Sequence, residues 1–394
     1  MIKKKILIIS YFFPPFSEVG AVRVAKIVKY LYQLDWTVHV VCVLEKYYGT
    51  IGESYLGDVK NAKIYRTKRF RKFIPGLNEE GFYWAPYLFF KLIKVIKKHK
   101  PDIIYYSGGP FFHWIIAPMI KKITGVNFVL DLRDAFALNP YNKSKNIFSY
   151  FIKQFSKFIE AFAIKYSSGV IHVNEFAVEM YSIHYPKYSA KMLKFSNGYD
   201  PEDFLNIKPR KLDGFNIVYS GKFGNFRDPL PFFQAFKKII EDNKFSPKDI
   251  CFIWIGNKEK HIVDMIDNLL INEYVKYTGF LSYKENLEYI NGSSLALLVA
   301  GNHAYEQTTK IFDYAALNKP ILALISTDGF LKKELSSYGN ALICKDPKDI
   351  YNAISYYINT PSSELNSNNN FKKFERKEII KALNIYLNSI IINR

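Results

Sequence analysis

Short apolar runs alternate with amphipathic stretches along most of this chain. KKKILIISYFF (3–13) is largely apolar, ends at Pro14-Pro15, and predicts a fully buried parallel strand. VGAVRVAKIVKYLYQL (19–34) then spaces its apolar residues as a helix does, and WTVHVVCV (36–43) returns to strand. Further strands are predicted at 102–108, 128–134 and 169–175, with helices at 84–99, 112–124 and 146–167. The second half repeats the style, with strands at 216–221, 251–257, 275–281, 295–301 and 320–326. Its helices fall near 229–243, 260–270, 283–290, 310–317 and 347–358. Strand–helix alternation of this kind winds a parallel sheet, so the fold class is α/β with two Rossmann-like domains.

The polar, turn-rich segment 196–215 reads as the link between the domains. PSSELNSNNN (361–370) is a second polar break, and 371–394 reads as one amphipathic terminal helix. The domains are therefore set at 1–198 and 199–370, followed by the helix 371–394. No sequence repeat of 20–50 residues is visible.

Length supports this division, because 394 residues exceed one typical core. The first sixteen residues superficially resemble a signal peptide, but the apolar run is short and lacks a small-residue cleavage site. The uncharged stretch 103–120 has membrane-span length, yet Gly108, Gly109, Pro110 and Pro118 favour strand, loop and helix. No transmembrane helix is expected. Three separated cysteines and seven histidines without ligand spacing exclude a zinc or disulfide framework and suit a reducing, cytoplasmic setting.

Charge changes the picture more. Residues 1–200 hold 30 Lys+Arg and 14 Asp+Glu, net +16; residues 201–394 hold 25 and 22, net +3. A basic, aromatic first half implies a polyanionic neighbour, either nucleic acid or an anionic membrane surface. A lysine-rich surface set by genome composition is the plainer reading, though it leaves the asymmetry unexplained. RTKRFRKFIPG (66–76) with 82–100, and the helix within 143–165, place lysines beside phenylalanines. Both suit either an anionic bilayer or ordinary packing against a sheet.

The candidate chemistry sits where predicted strands meet helices. GKFGNFRD (221–228) ends a strand at Gly221 and brackets a glycine loop with Lys222 and Arg227. Thr308, Thr309 and Lys310 enter a helix whose first turn holds Asp313. Cations at helix starts bind phosphates, and a nearby carboxylate takes a ribose diol, which together suggest a nucleoside-diphosphate site. A surface ion pair between Lys310 and Asp313 is the simpler alternative. In the first half, Gly20 lies in a loop before a helix, without a dinucleotide or Walker pattern. Asp131, Arg133 and Asp134 crowd a strand end, either as a site or as mutual ion pairs, and His113 follows a glycine loop close by in the fold.

These residues together resemble family 4 glycosyltransferases, which have the GT-B fold. That family shows G-R-L-x-x-x-K-G-x-x-x-L-x-x-A after the first strand of its second domain. Gly221, Lys222, Phe223, Arg227, Phe232 and Ala235 fall at the same spacing, with the two cations exchanged in type. DYAALNKPI places Asp313 on the family's second glutamate, and NGYD (197–200) resembles its linker element. DLRDAF resembles a subgroup linked to surface polysaccharide synthesis. Departures are visible: the family's first glutamate falls on Tyr305, one place before Glu306, and its Gly-Gly is Gly20-Ala21.

The resemblance implies a glycosyltransferase, with a nucleotide-sugar donor held mainly by the second domain. Gly221, Lys222, Arg227, Glu306, Thr308, Thr309, Lys310 and Asp313 would bind it, with Gly20 approaching from the first domain. The acceptor, a lipid-linked saccharide, would meet Asp131, Arg133 and Asp134. Catalytic roles would fall to Arg227, Lys310, Asp131 and His113. The terminal helix would cross back to the first domain. No cofactor and no metal is expected, the cations standing in for one. The expected partners are the donor, the lipid-linked acceptor and an anionic inner-membrane surface, with no nucleic acid. The expected location is cytoplasmic and peripheral to the inner face of the cell membrane. Two alternatives remain at this point: a GT-B epimerase or hydrolase acting on nucleotide sugars, and a non-catalytic polyanion binder.

Overall fold

The computed structural model describes residues 3–17, 19–140, 146–224, 226–361 and 370–392. The chain divides into two compact units, one formed by 1–196 with 376–394 and the other by 197–375. The polar break at 361–370 lies almost wholly outside the described residues.

The first unit alternates β1 (Lys5–Ile9), α1 (Val19–Gln33), β2 (Thr37–Val43), α2 (Leu56–Val59), β3 (Lys63–Thr67), α3 (Glu80–His99) and β4 (Ile103–Ser107). It continues through α4 (Ala117–Thr124), β5 (Asn127–Leu132), α5 (Ile147–Tyr166), β6 (Gly169–His172), α6 (Glu175–His184) and β7 (Met192–Lys194). Its seven strands run in the order β3-β2-β1-β4-β5-β6-β7, each pair parallel. The central strand β4 is buried end to end and β1 from Ile6 onward, as their apolar runs require. Asn146 caps α5 by accepting the Ser149 N–H at 2.8 Å, which fixes where that helix starts.

The second unit holds β8 (Phe215–Ser220), α7 (Leu230–Asn243), β9 (Ile250–Ile255), α8 (Lys260–Asn268), β10 (Val275–Gly279) and α9 (Tyr283–Gly292). Then follow β11 (Leu295–Val299), α10 (Lys310–Ala316), β12 (Ile321–Leu324), α11 (Phe330–Ser336), β13 (Ala341–Cys344) and α12 (Pro347–Asn359). Its strand order is β10-β9-β8-β11-β12-β13, again parallel throughout. Ser282 and Glu285 form a reciprocal cap at the start of α9.

Order reverses between β1 and β4 in the first sheet and between β8 and β11 in the second. Parallel sheets open a crevice at such points, outside the carboxyl ends of the strands. The loops singled out in the sequence, after β1 and after β8, stand at these two positions.

The last helix, α13 (Arg376–Ile392), belongs to the first unit and packs on α1. Trp36 Nε1 donates to Asn384 Oδ1 at 2.7 Å, and the Tyr386 hydroxyl donates to the Ser168 carbonyl at 3.3 Å. A single helix over 371–394 is corrected to a 3-10 turn at Asn370–Phe374 followed by α13. The expected helix 112–124 likewise splits into a 3-10 turn, Phe112–Ile116, and α4.

Candidate functional site

In the second unit the loop after β8 turns at Gly221, whose φ of 107° suits glycine alone. Trp254 Nε1 holds this turn by donating to the Gly221 carbonyl at 3.0 Å. A side chain at 221 would also meet Lys310 Nζ at 3.4 Å. The two segments read separately in the sequence therefore converge. Lys310 Nζ lies 3.8 Å from the centroid of the Tyr219 ring, close enough for a cation–π contact.

Arg227 sits on the same loop and faces Glu306. Its Nη2 and Nε donate to Glu306 Oε1 at 2.7 and 3.2 Å. Glu306 Oε2 accepts the Gly301 N–H at 2.6 Å, so the loop after β11 is tied to the loop after β8. Burial, and next the charge of Arg227, push the Lys310 ammonium well below the usual lysine range; Glu306 and Glu259 oppose this. Arg227 and Lys310 thus share a partly desolvated site with two carboxylates, Glu306 and Glu259. Any added anion there gains from both cations, and it relieves their mutual repulsion.

The remaining expected donor residues spread around this centre. Lys222 is exposed, and its carbonyl accepts the Tyr219 hydroxyl at 2.8 Å. Thr308 and Thr309 are half-buried at the entry to α10. Asp313 accepts the Tyr283 hydroxyl at 2.8 Å. Gln307 Oε1 accepts the Asn197 N–H at 3.1 Å, which fastens NGYD to the same loop.

Sequence reasoning missed Tyr219, Tyr283, Trp254 and Glu259. Glu259 accepts the N–H groups of Phe223 and Gly224 at 2.7 and 2.8 Å, a carboxylate held by the glycine loop itself. In the sequence it is one of several charges in NKEK and carries no signal. Tyr219 did carry one, as an aromatic residue two places before the glycine turn.

The first-unit residues divide differently. Arg133 Nη1 donates to the Gly20 carbonyl at 2.6 Å, and its Nε lies 3.7 Å from Asp134. This joins the loop ends of β1 and β5, with Asp134 largely exposed. Asp131, by contrast, is fully buried and held by a two-pronged pair with Arg23, at 2.9 Å on each oxygen. Arg23 also donates to the carbonyls of Ser196 and Phe195 at 3.0 and 2.9 Å. His113 is fully buried between the rings of Trp84 and Tyr106, and burial lowers its pKa to about 3. Neither Asp131 nor His113 presents an atom to solvent. Among the described residues, no group of three or more His, Cys, Asp or Glu is arranged to hold a metal ion.

Two parallel α/β units, with a final helix returning to the first, define a GT-B protein. Residues 20–203 match the family model described as Glycosyltransferase Family 4, so this stretch carries that family's domain and the chain is a transferase of the glycosyltransferase class. Comparison with curated proteins gives no match. Among solved structures, sucrose-phosphate synthase from Thermosynechococcus elongatus superposes with TM-score 0.76 at 13% identity, covering 100% of both chains. A glycosyltransferase from Rickettsia africae gives 0.69 at 15%, again over 100% of both chains. Anabaena HepE in complex with UDP gives 0.62 at 14%, covering 99% of this chain and 98% of that one. At such identities the likeness establishes the fold.

Proposed function

We propose that this protein transfers a sugar from a nucleoside diphosphate to a lipid-linked saccharide, at the inner membrane face, during cell-surface polysaccharide synthesis. The observation that carries the donor half is the convergence of Arg227 and Lys310 beside the Gly221 turn, at the switch point of the second sheet. The UDP bound to the HepE structure agrees with a nucleoside-diphosphate donor.

The chemistry then needs positioning and charge stabilisation more than protein acid–base groups. Arg227 and Lys310 stabilise charge developing on the departing diphosphate. Asp313 takes the ribose diol, with Tyr283 holding its carboxylate in place. The departing diphosphate accepts the acceptor hydroxyl's proton, so the sugar keeps its anomeric configuration. On the acceptor side, Arg133 and Asp134 follow β5 at the carboxyl edge of the first sheet, and Asp134 is largely exposed. No described helix is long and apolar enough to cross a membrane, so contact with a lipid-linked acceptor is peripheral in this reading. Exposed Phe148, Phe151 and Phe158 on α5, beside Lys153 and Lys157, fit such contact.

The test is a thermal-shift screen with UDP, GDP, ADP, CMP and TDP, followed by labelled sugar transfer to a lipid-linked saccharide extract. One nucleotide stabilising the wild type, and its sugar donor labelling the lipid fraction, is the expected result. Isomerised or hydrolysed donor without any lipid product would favour an epimerase or hydrolase instead.

A further inference from the structure

The first unit carries a second concavity, remote in character from the ionic site. It is a slot of about 390 Å³ between the loop after β3, α3, the 3-10 turn before α4, and α5. Phe70, Phe73, Phe90, Met119 and Phe155 form much of its wall and are all exposed, so the slot opens to the surface. No lining side chain is charged. The single polar one, Tyr83, spends its hydroxyl on the carbonyls of Ile74 and Leu77 at 3.3 and 3.1 Å. Small-molecule pockets of this size ordinarily include several convergent polar groups that fix orientation. This one offers no hydrogen bond to an occupant, which excludes a sugar or a nucleotide and leaves hydrocarbon.

The surroundings specify the other end of the occupant. Arg71 lies between Phe70 and Phe73 in the chain and is exposed. Lys94 stands one turn beyond Phe90 on α3, and Lys122 one turn beyond Met119 on α4, both exposed. The nearby carboxylate Glu80 is already matched by Arg69 and Lys72, at 3.6 and 3.3 Å. An apolar slot with a cationic border is complementary to an amphiphile with one hydrocarbon chain and an anionic head.

We infer that this slot takes one hydrocarbon chain of an anionic lipid, with Arg71, Lys94 and Lys122 on the head group. The inference rests on the lipid-linked acceptor proposed above and gives that lipid a place. Phe112, on the slot wall, contacts Phe136 at 5.8 Å between ring centroids, in the segment that follows Arg133 and Asp134.

Dodecyl phosphate below its micelle concentration is the probe, with inorganic phosphate as the headgroup-only control and calorimetry as the readout. Saturable one-to-one binding of dodecyl phosphate, without binding of inorganic phosphate, is expected. Phe90→Asp should weaken it at least tenfold, and Ala85→Leu, which fills the slot without adding charge, should do the same. Arg71→Glu with Lys94→Glu should weaken it about fivefold or more. Equal affinity in all variants, no binding, equal binding of inorganic phosphate, or burial of the slot in a concentration-dependent dimer would each overturn the inference. Circular dichroism checks folding, and Phe90, being exposed, supplies a variant that leaves the core intact. The nucleotide thermal shift is read on the same samples. A retained shift with no dodecyl phosphate binding defeats the slot alone, whereas binding without any nucleotide shift defeats the donor reading alone.

Discussion

Arg227→Ala is the most direct perturbation of the ionic centre. Two unit charges about 4 Å apart interact by about 4 kcal/mol at an effective dielectric near 20. The Arg227 side chain is 29% exposed and already faces Glu306 at 2.7 Å, so solvent and the carboxylate reduce what a diphosphate can gain. A net loss of about 2–3 kcal/mol in transition-state stabilisation remains, a factor of about 30 to 150 in kcat/KM. The loss should fall mainly on kcat, because charge grows on the diphosphate as the sugar leaves. Stability should change by only about 1 kcal/mol, since Glu306 keeps the Gly301 N–H at 2.6 Å. Arg227→Lys should lie between the two, keeping the charge and losing the fork. Initial rates with labelled donor, beside urea melts of each variant, supply both numbers. A kcat/KM within threefold of wild type in Arg227→Ala would refute the reasoning and reduce the Arg227–Glu306 pair to a loop fastener.

Further outcomes follow from other groups. A bound diphosphate should raise the depressed pKa of Lys310; nucleotide affinity measured across a pH series reads that rise, and Lys310→Met should abolish it. Arg23→Met leaves the fully buried Asp131 without its counter-charge and should cost about 3–5 kcal/mol, whereas Arg23→Met with Asp131→Leu should recover most of it in denaturant melts. If the double variant still turns over donor, Asp131 serves the fold. Glu79 is raised to about 7, chiefly by burial, so the folded state holds its proton where the unfolded chain releases it. Its contribution therefore falls as pH rises from about 4.5 to about 7, and Glu79→Gln should gain stability relative to wild type across that window.

The sequence disclosed elements in proportion to their burial. Central strands such as β1 and β11 are uninterrupted apolar runs, and their positions are read directly. The edge strand β3, KIYRT, buries only Thr67 fully, so it alternates no better than a loop and goes unread. β7, at three residues, and β13, half-buried on the opposite sheet's edge, fail for the same reason. α6 buries only Ala177 and Tyr181, and α11 is seven residues long, too short for a helical period to emerge. In the sequence Arg227 stands out beside a glycine turn and Lys310 at a predicted helix start, which makes both candidates. The partners of Asp131 and Asp313 were not, because Arg23 and Tyr283 lie 108 and 30 residues away and only the fold makes them neighbours.

The first unit is built from two stretches of chain separated by the whole of the second. On a ribosome, residues 1–196 emerge long before α13, with about 180 residues intervening. At roughly 5–20 residues per second the delay is about ten to forty seconds. For that interval α1 lacks its covering helix, and Trp36 lacks Asn384. The second unit, being continuous, meets no such wait. Synthesis order and folding order are thus inverted in this chain: the half made first is finished last, and a nascent-chain chaperone would find its target on the exposed flank of α1.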